Sequence, residues 1–349
     1  MGNRADYKNT GKLIFLDTSE KHKPKLSVLV MTYKRKEFIV GALESVLNQT
    51  LTRSEYEIIC SIGFRDDEFS RFLRENDIKE IFCDGTIGEM LTQGILACNS
   101  DFVVFLEDDD QFRNDKLERA LLAFQKYGCV YYHNNVQLID VDGNKIIHRV
   151  EPYHMQVPHS YVWYPVRGYR MVLKHRGDFN LSSIAVARTE IIKYCDTLKT
   201  ITTCPDSIIF FLLMQKNLSL CFDAETTIQY RIHKSETNMA SDLSKSQAIK
   251  VALRFYFSRL AAYNSMKSIP VRKIFNGYVL ESKFGAYIRG EKELKPNATE
   301  ELKFLYIGIA RPSRFYLRLF AATWIYSLFP SYVDKVRKRR EIRRYKDAR

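Results

Sequence analysis

The stretch Asp101–Gln111 reads DFVVFLEDDDQ, an apolar, β-branched-rich run that ends in four consecutive acids, Glu107, Asp108, Asp109 and Asp110. Phe102–Leu106 has the continuous apolar pattern of a strand buried on both faces, as inside a parallel sheet. Carboxylates gathered at the end of such a strand repel one another and lose hydration. A divalent cation or a hydrogen-bonded ligand relieves both effects. Open α/β sheets bind ligands at the carboxyl ends of their strands, so the stretch points to a metal and nucleotide site. A plainer reading stands beside it, an acidic turn leading into the helical pattern that begins at Asp115 and continues through Leu117, Leu121 and Phe124.

Working outward, the flanks alternate. Leu26–Met31 reads as a buried strand, Glu37–Leu47 as a helix, Tyr56–Ser61 as a strand, Phe69–Glu75 as a helix, Glu80–Cys83 as a short strand and Gly88–Cys98 as a helix. Strands alternating with helices of this length imply parallel βαβ units, with right-handed crossovers placing helices on both faces of one sheet. From about residue 129 the pattern changes. Val130–His133 and Gln137–Val141 read as two strands, with Asp142-Gly143-Asn144 as a hairpin turn into Lys145–Val150. Residues 151–180 lack periodicity, but Tyr161, Trp163, Tyr164 and Tyr169 favour an ordered binding wall. Leu181–Ala187, Leu218–Asp223 and Thr226–Arg231 return to strand character, and Pro205 opens a helix over Asp206–Gln215. After Ser241 the chain is mainly helical.

Composition is that of a globular protein, 46% hydrophobic and 27% charged over 349 residues, enough for one large domain or two. Seven cysteines show no CxxC and no paired spacing, so they read as small buried hydrophobes in a reducing compartment, and a zinc site is not expected. No signal-peptide layout and no apolar run of the ~20 residues needed to span a bilayer is present. Charge is uneven: residues 311–349 hold twelve Lys/Arg against three Asp/Glu, +9 of the chain's net +13. The apolar, aromatic stretch Phe315–Phe329 precedes most of that charge, a pairing suited to an anionic membrane surface. A packed terminal helix with a solvated tail accounts for it equally simply. No nucleic-acid-binding signature accompanies the charge, so a nucleic-acid partner is not expected.

Taken in order, SVLVMTYKR (27–35), ALESVLNQT (42–50), GEMLTQGILACNSDFVVFLEDDD (88–110) and PDSIIFFLL…YRIH (205–233) resemble the inverting glycosyltransferases of family 2. The resemblance implies a GT-A fold: α/β, Rossmann-like, a mostly parallel central sheet with helices on both faces, here with a helical C-terminal extension. The changes of pattern along the chain divide it into a polar leader (1–24), a domain over 25–240 that the resemblance makes a glycosyltransferase domain (nucleotide-sugar half 25–128, acceptor half 129–240) and a basic helical extension (241–349) as a candidate membrane-associating part. The resemblance further implies a nucleoside-diphosphate sugar as donor, a divalent cation (Mn²⁺ or Mg²⁺) and a glycan acceptor, while the C-terminal aromatic and basic segment points to a lipid-linked acceptor and a peripheral location on the cytoplasmic face of a membrane.

The family's pattern also assigns residues. Asp109 falls at the position of the principal metal ligand, with Asp110 as a further ligand and Glu107 or Asp108 toward the ribose, in a register the run of four acids leaves open by one residue. Thr32, Tyr33 and Arg35 fall where the family receives the nucleobase and phosphate. Asp206, ahead of an apolar helix, falls at the general base, with Asp196 and Asp223 as competing acids. Arg231 and His233 match a Tyr-Arg-x-His segment that contacts diphosphate or metal. The second strand departs from the family: it ends Cys60-Ser61-Ile62-Gly63 where an acid pair is usual, and acids arrive only at Asp66-Asp67. Two other function classes remain open at this level, a metal-dependent phosphoryl-transfer enzyme and a non-catalytic nucleotide- or glycan-binding member of the same fold.

Overall fold

Leu26, Val28 and Val30 pack on one side of a central sheet while Leu29 and Met31 pack on the other, because successive residues of a strand face opposite ways. A strand apolar at every position therefore needs cover on both faces. The computed structural model describes residues 23–146, 161–163, 177–215, 218–233, 244–310 and 314–329. Within them β1 (Leu26–Thr32), α1 (Ile39–Leu47), β2 (Tyr56–Ile62), α2 (Asp67–Glu75), β3 (Ile78–Phe82), α3 (Ile87–Ala97) and β4 (Phe102–Glu107) alternate as the sequence predicts. There follow β5 (Gln111–Phe112), α4 (Lys116–Tyr127), β6 (Tyr131–Ile139), β7 (Tyr161–Trp163), β8 (Ile184–Ala187), α5 (Pro205–Met214) and β9 (Leu220–Arg231). Four long helices complete the described chain: α6 (Lys245–Ser265), α7 (Ile269–Arg289), α8 (Ala298–Ala310) and α9 (Arg314–Leu328).

The sheet has nine strands among the described residues, in the order β3-β2-β1-β4-β8-β6-β9-β5, with β7 also on β9. β3, β2, β1 and β4 are parallel. β8 runs antiparallel to both β4 and β6, and β6 and β9 are parallel to each other. One face packs against α1, α2 and α4 through Leu43, Leu73, Leu117 and Phe124. The other packs against α3 and α5 through Leu91, Ile95 and the run Ile208–Met214. α5 is apolar all round and buried along its length, as expected of a helix with no solvent face. Ala262, Met266, Val271 and Phe275 of α6 and α7 join that same core, so the first helices after the sheet complete its second layer. No helix among the described residues is long and apolar enough to cross a membrane.

Two pairs of expected strands are each a single strand. Val130–His133 and Gln137–Val141 merge into β6, although Asn134 and Asn135 look like a turn. Asn134 is fully buried and takes a hydrogen bond from the Lys116 ammonium, while Asn135 Nδ2 donates to the Ala224 carbonyl at 2.7 Å. Leu218–Asp223 and Thr226–Arg231 merge into β9, whose extra residues are absorbed as register shifts against β6. The expected turn at 142–144 is present, with Ile139 bridged to Lys145, but the strand expected through Val150 runs outside the described residues. Leu181–Ser183 forms a 3₁₀ turn and only Ile184–Ala187 is strand.

Lys116, at the start of α4, is wholly buried and its ammonium also reaches the Ser183 carbonyl at 3.1 Å. Burial, partly countered by Asp223 and Asp115, pushes its pKa down to about 7. Between about 7 and the ordinary lysine value the unfolded chain binds the extra proton, so this residue's contribution to stability grows as pH rises through that window. Measured by urea unfolding, wild type should gain on Lys116→Met between about pH 7 and pH 9, by up to about 1.4 kcal/mol per pH unit. A difference independent of pH would mean that the lysine stays charged in the folded protein.

Candidate functional site

β1 and β4 pair in parallel with Met31 opposite Glu107, so Thr32 and the acids leave the sheet side by side. Chain order reverses there, β2 and β3 lying beyond β1 on one side and β4 on the other. Such a switch point opens the crevice in which α/β sheets hold ligands. Gly63 permits the tight exit of β1. Its N–H donates to the Thr32 carbonyl at 3.0 Å, and a Cβ there would lie 2.2 Å from the Tyr33 carbonyl oxygen. The buried Thr32 hydroxyl lies 2.6 Å from the Arg35 carbonyl and 3.0 Å from Asp108 Oδ2. Tyr33 is 45% exposed, with the Lys34 ammonium 4.9 Å from its ring centroid.

Arg35 turns back over the acids. Its Nη2 donates to Asp108 Oδ1 at 2.5 Å and to Asp109 Oδ2 at 2.6 Å, while Nη1 lies 2.9 Å from His233 Nε2. That same Nε2 lies 2.7 Å from Asp109 Oδ2, so it either accepts from Arg35 or donates to Asp109. Asp110 is buried, and its Oδ1 accepts the Arg231 N–H at 3.0 Å. The Arg231 guanidinium donates to the carbonyls of Asp109 (2.9 Å), Asp140 (3.0 Å) and Val141 (2.8 Å), which fastens the acidic loop to the end of β6. β9 ends at Arg231, so His233 reaches Asp109 from beyond the strand.

The electrostatics follow from crowding. Burial, then Asp109, Asp110 and Asp206, push the Glu107 carboxyl well above its usual range, and burial with Asp109 does the same to Asp110. Burial and Asp109 also raise Asp108, against the pull of Arg35. Burial works against the charge of Asp109 as well, but His233 and Arg35 outweigh it and hold this carboxyl below the usual range. For Arg35 burial is again opposed, and Asp109 with Asp108 raise its pKa above the ordinary value. Carboxylate oxygens with one imidazole suit Mn²⁺ or Mg²⁺ in kind. Yet among the described residues no three His, Cys, Asp or Glu side chains are arranged to hold a metal ion. The Arg35 guanidinium supplies the counter-charge that an ion between Asp108, Asp109 and His233 would supply.

Asp206 sits in the first turn of α5, after Pro205 and after Cys204, whose φ of 56° is left-handed. Its Oδ2 accepts the Asn180 N–H at 3.1 Å. Asn180 (φ 65°) heads a short turn: its side chain accepts from the Ser182 N–H at 3.2 Å and donates to the Ser183 hydroxyl at 3.2 Å. Ser182 Oγ in turn accepts the Glu107 N–H at 3.1 Å. The turn thus ties Asp206 to the acidic strand end. The rival acids are placed otherwise. Asp223 is gripped by Arg119 at 2.9 and 3.0 Å and by the Tyr132 hydroxyl at 2.9 Å, and Asp196 is exposed on a short helical turn at Cys195–Leu198. Of the aromatic wall, Tyr161–Trp163 forms β7 against β9, while Tyr164 and Tyr169 lie outside the described residues. Lys116, Asn180 and Ser182 escaped the sequence reading, since single polar residues between apolar runs carry no motif.

Residues 27–193 match the family model described as glycosyl transferase family 2. Chondroitin synthase of Escherichia coli is 33% identical over 135 residues, 36% of this chain and 19% of that protein. The chain spans 18% to 54% of the length of the curated relatives it matches. Among solved structures, S. aureus TarS 1-349 in complex with UDP-GlcNAc superposes with a TM-score of 0.57 at 13% identity, over 87% of this chain and 92% of that one. The mannosyltransferase PcManGT of Pyrobaculum calidifontis, in complex with GDP-Man and Mn²⁺, gives 0.53 at 11% identity over 88% of both chains. At such identities these likenesses establish the fold, which is GT-A.

Removing the guanidinium exposes the acids to one another. Arg35→Met should lower stability by about 2 kcal/mol, less than a fully buried pair because the arginine side chain is 40% exposed. Millimolar Mn²⁺ or Mg²⁺ should raise the thermal midpoint of this variant more than that of wild type. Equal responses would show that Arg35 and a cation do not share these carboxylates.

Proposed function

We propose, starting from the match of residues 27–193 to the glycosyl transferase family 2 model, that this chain transfers a sugar from a nucleoside-diphosphate sugar to a hydroxyl of a glycan or lipid-linked acceptor. The observation that carries the reading is the hydrogen-bonded link between two acidic groups: the cluster at the end of β4, whose Glu107 N–H is held by Ser182, and Asp206, which accepts the Asn180 N–H of the same short turn. The first binds a leaving diphosphate and the second activates an acceptor.

The transfer is a single inverting step. The Asp206 carboxylate takes the proton of the acceptor hydroxyl as its oxygen bonds to the anomeric carbon, and the bond from that carbon to the diphosphate oxygen breaks on the opposite face. Nucleoside diphosphate leaves. Asp109 and Asp110, with His233 beside them, would hold a divalent cation, which would supply charge neutralisation to the departing diphosphate. Arg35 then moves from the carboxylates to phosphate, for which its fork of donors is suited. Tyr33 stacks on the nucleobase, Thr32 orients its loop, and Glu107 or Asp108 receives the ribose hydroxyls. Arg231 acts by holding the loop. Residues 311–349 bring the enzyme to an anionic membrane surface, where α9 presents exposed Trp324, Ile325 and Leu328.

A thermal-shift screen of UDP-, GDP- and dTDP-sugars with Mn²⁺, Mg²⁺ or EDTA should give stabilisation by one nucleotide class that EDTA abolishes. With that donor, Asp206→Asn should lower kcat by about 10²–10⁴-fold while leaving donor stabilisation intact. Turnover near the wild-type rate would remove Asp206 as the base. A flat screen at saturating ligand would turn the reading toward phosphoryl transfer or a binding protein.

A further inference from the structure

A groove of about 740 Å³ opens between the end of α6, the start of α7 and α8, far along the chain from the acidic cluster. None of the residues lining it is acidic, and three are cations, Arg272, Lys273 and Lys303. The Arg272 guanidinium lies 4.6 Å over the Tyr263 ring, and its Nε is buried with no hydrogen-bond partner among the described residues. Both Arg272 and Lys273 belong to the amino end of α7, where the helix dipole adds to the positive potential. Glu300, on the same helix as Lys303, is paired with Lys283 at 2.6 Å. The rim is apolar and open to solvent, with Ile269 65%, Leu302 67% and Tyr306 72% exposed.

We propose that this groove docks the phosphate headgroups of an anionic membrane, with Ile269, Leu302 and Tyr306 entering the interface between headgroups and acyl chains. The charge selects an anion. Residues 330–349 are an unsuitable cover, because they carry nine Lys/Arg against three Asp/Glu and repel a basic groove. The apolar rim selects among anions: nucleic acid or a soluble phosphate leaves these three side chains in water, whereas a bilayer interface takes both the cations and the rim. Tyrosine suits that depth, with its ring in the apolar layer and its hydroxyl at the headgroups. The site is independent of the donor crevice, so failure of the transferase reading leaves it standing.

The test is sedimentation of the purified full chain with phosphatidylcholine vesicles, with and without phosphatidylglycerol. Wild type should sediment with the anionic vesicles, and less so as salt is raised. Lys273→Glu with Lys303→Glu should weaken partitioning by about tenfold or more, and Leu302→Ser with Tyr306→Ser should weaken it while leaving the thermal midpoint in place. In wild type, anionic vesicles should also protect Lys273 and Lys303 from amine acetylation, a readout that needs no variant to fold. Wild-type partitioning in both variants, equal binding to neutral vesicles, or no protection of the two lysines would overturn the proposal. Equal protection by soluble glycerol phosphate would assign the groove to a soluble phosphate compound and overturn it as a membrane contact.

Discussion

Four carboxylates follow one another at the carboxyl end of β4, and the rest of the site is arranged around the repulsion between them. Water is largely excluded there, so each charge needs a partner nearby. Arg35 serves Asp108 and Asp109, His233 shares Asp109, and the Arg231 N–H serves Asp110. These partners come from the ends of β1 and β9, which meet at this point only because the sheet places them on either side of β4. The balance is incomplete, and Glu107, Asp108 and Asp110 keep raised affinities for protons. A site in that condition gains from any further cation.

The turn Asn180–Ser183 connects this cluster to the first turn of α5. It holds Asp206 through a backbone N–H, accepts the Glu107 N–H through Ser182, and is itself held by Lys116 through the Ser183 carbonyl. A left-handed φ at a non-glycine residue is sustained by such surrounding bonds. The position of Asp206 therefore depends on Lys116 of α4, which is distant from it in sequence.

The helices after the sheet have a double character. α6 and α7 close the core beneath α5 through Phe275 packed on Phe211. Their outer side, with α8, keeps cations and large apolar side chains in water. One pair of helices thus contributes to stability on one side and offers a surface for contact on the other.

The amino-acid sequence by itself determined the alternating strands and helices of residues 26–127, because doubly buried strands and amphipathic helices have different hydrophobic periods. It also singled out Glu107–Asp110, since acids at the end of an apolar strand stand out against their neighbours, while Asp206 came from its match to the family's pattern. It misplaced the breaks in β6 and β9, where buried asparagines and a bulge imitate turns and only cross-strand bonding keeps the strands whole. Tertiary structure alone decided which cation meets which acid. Arg35 and His233 are separated by nearly two hundred residues and touch the same carboxylate, and such pairing depends on sheet order and distance, which no local pattern encodes.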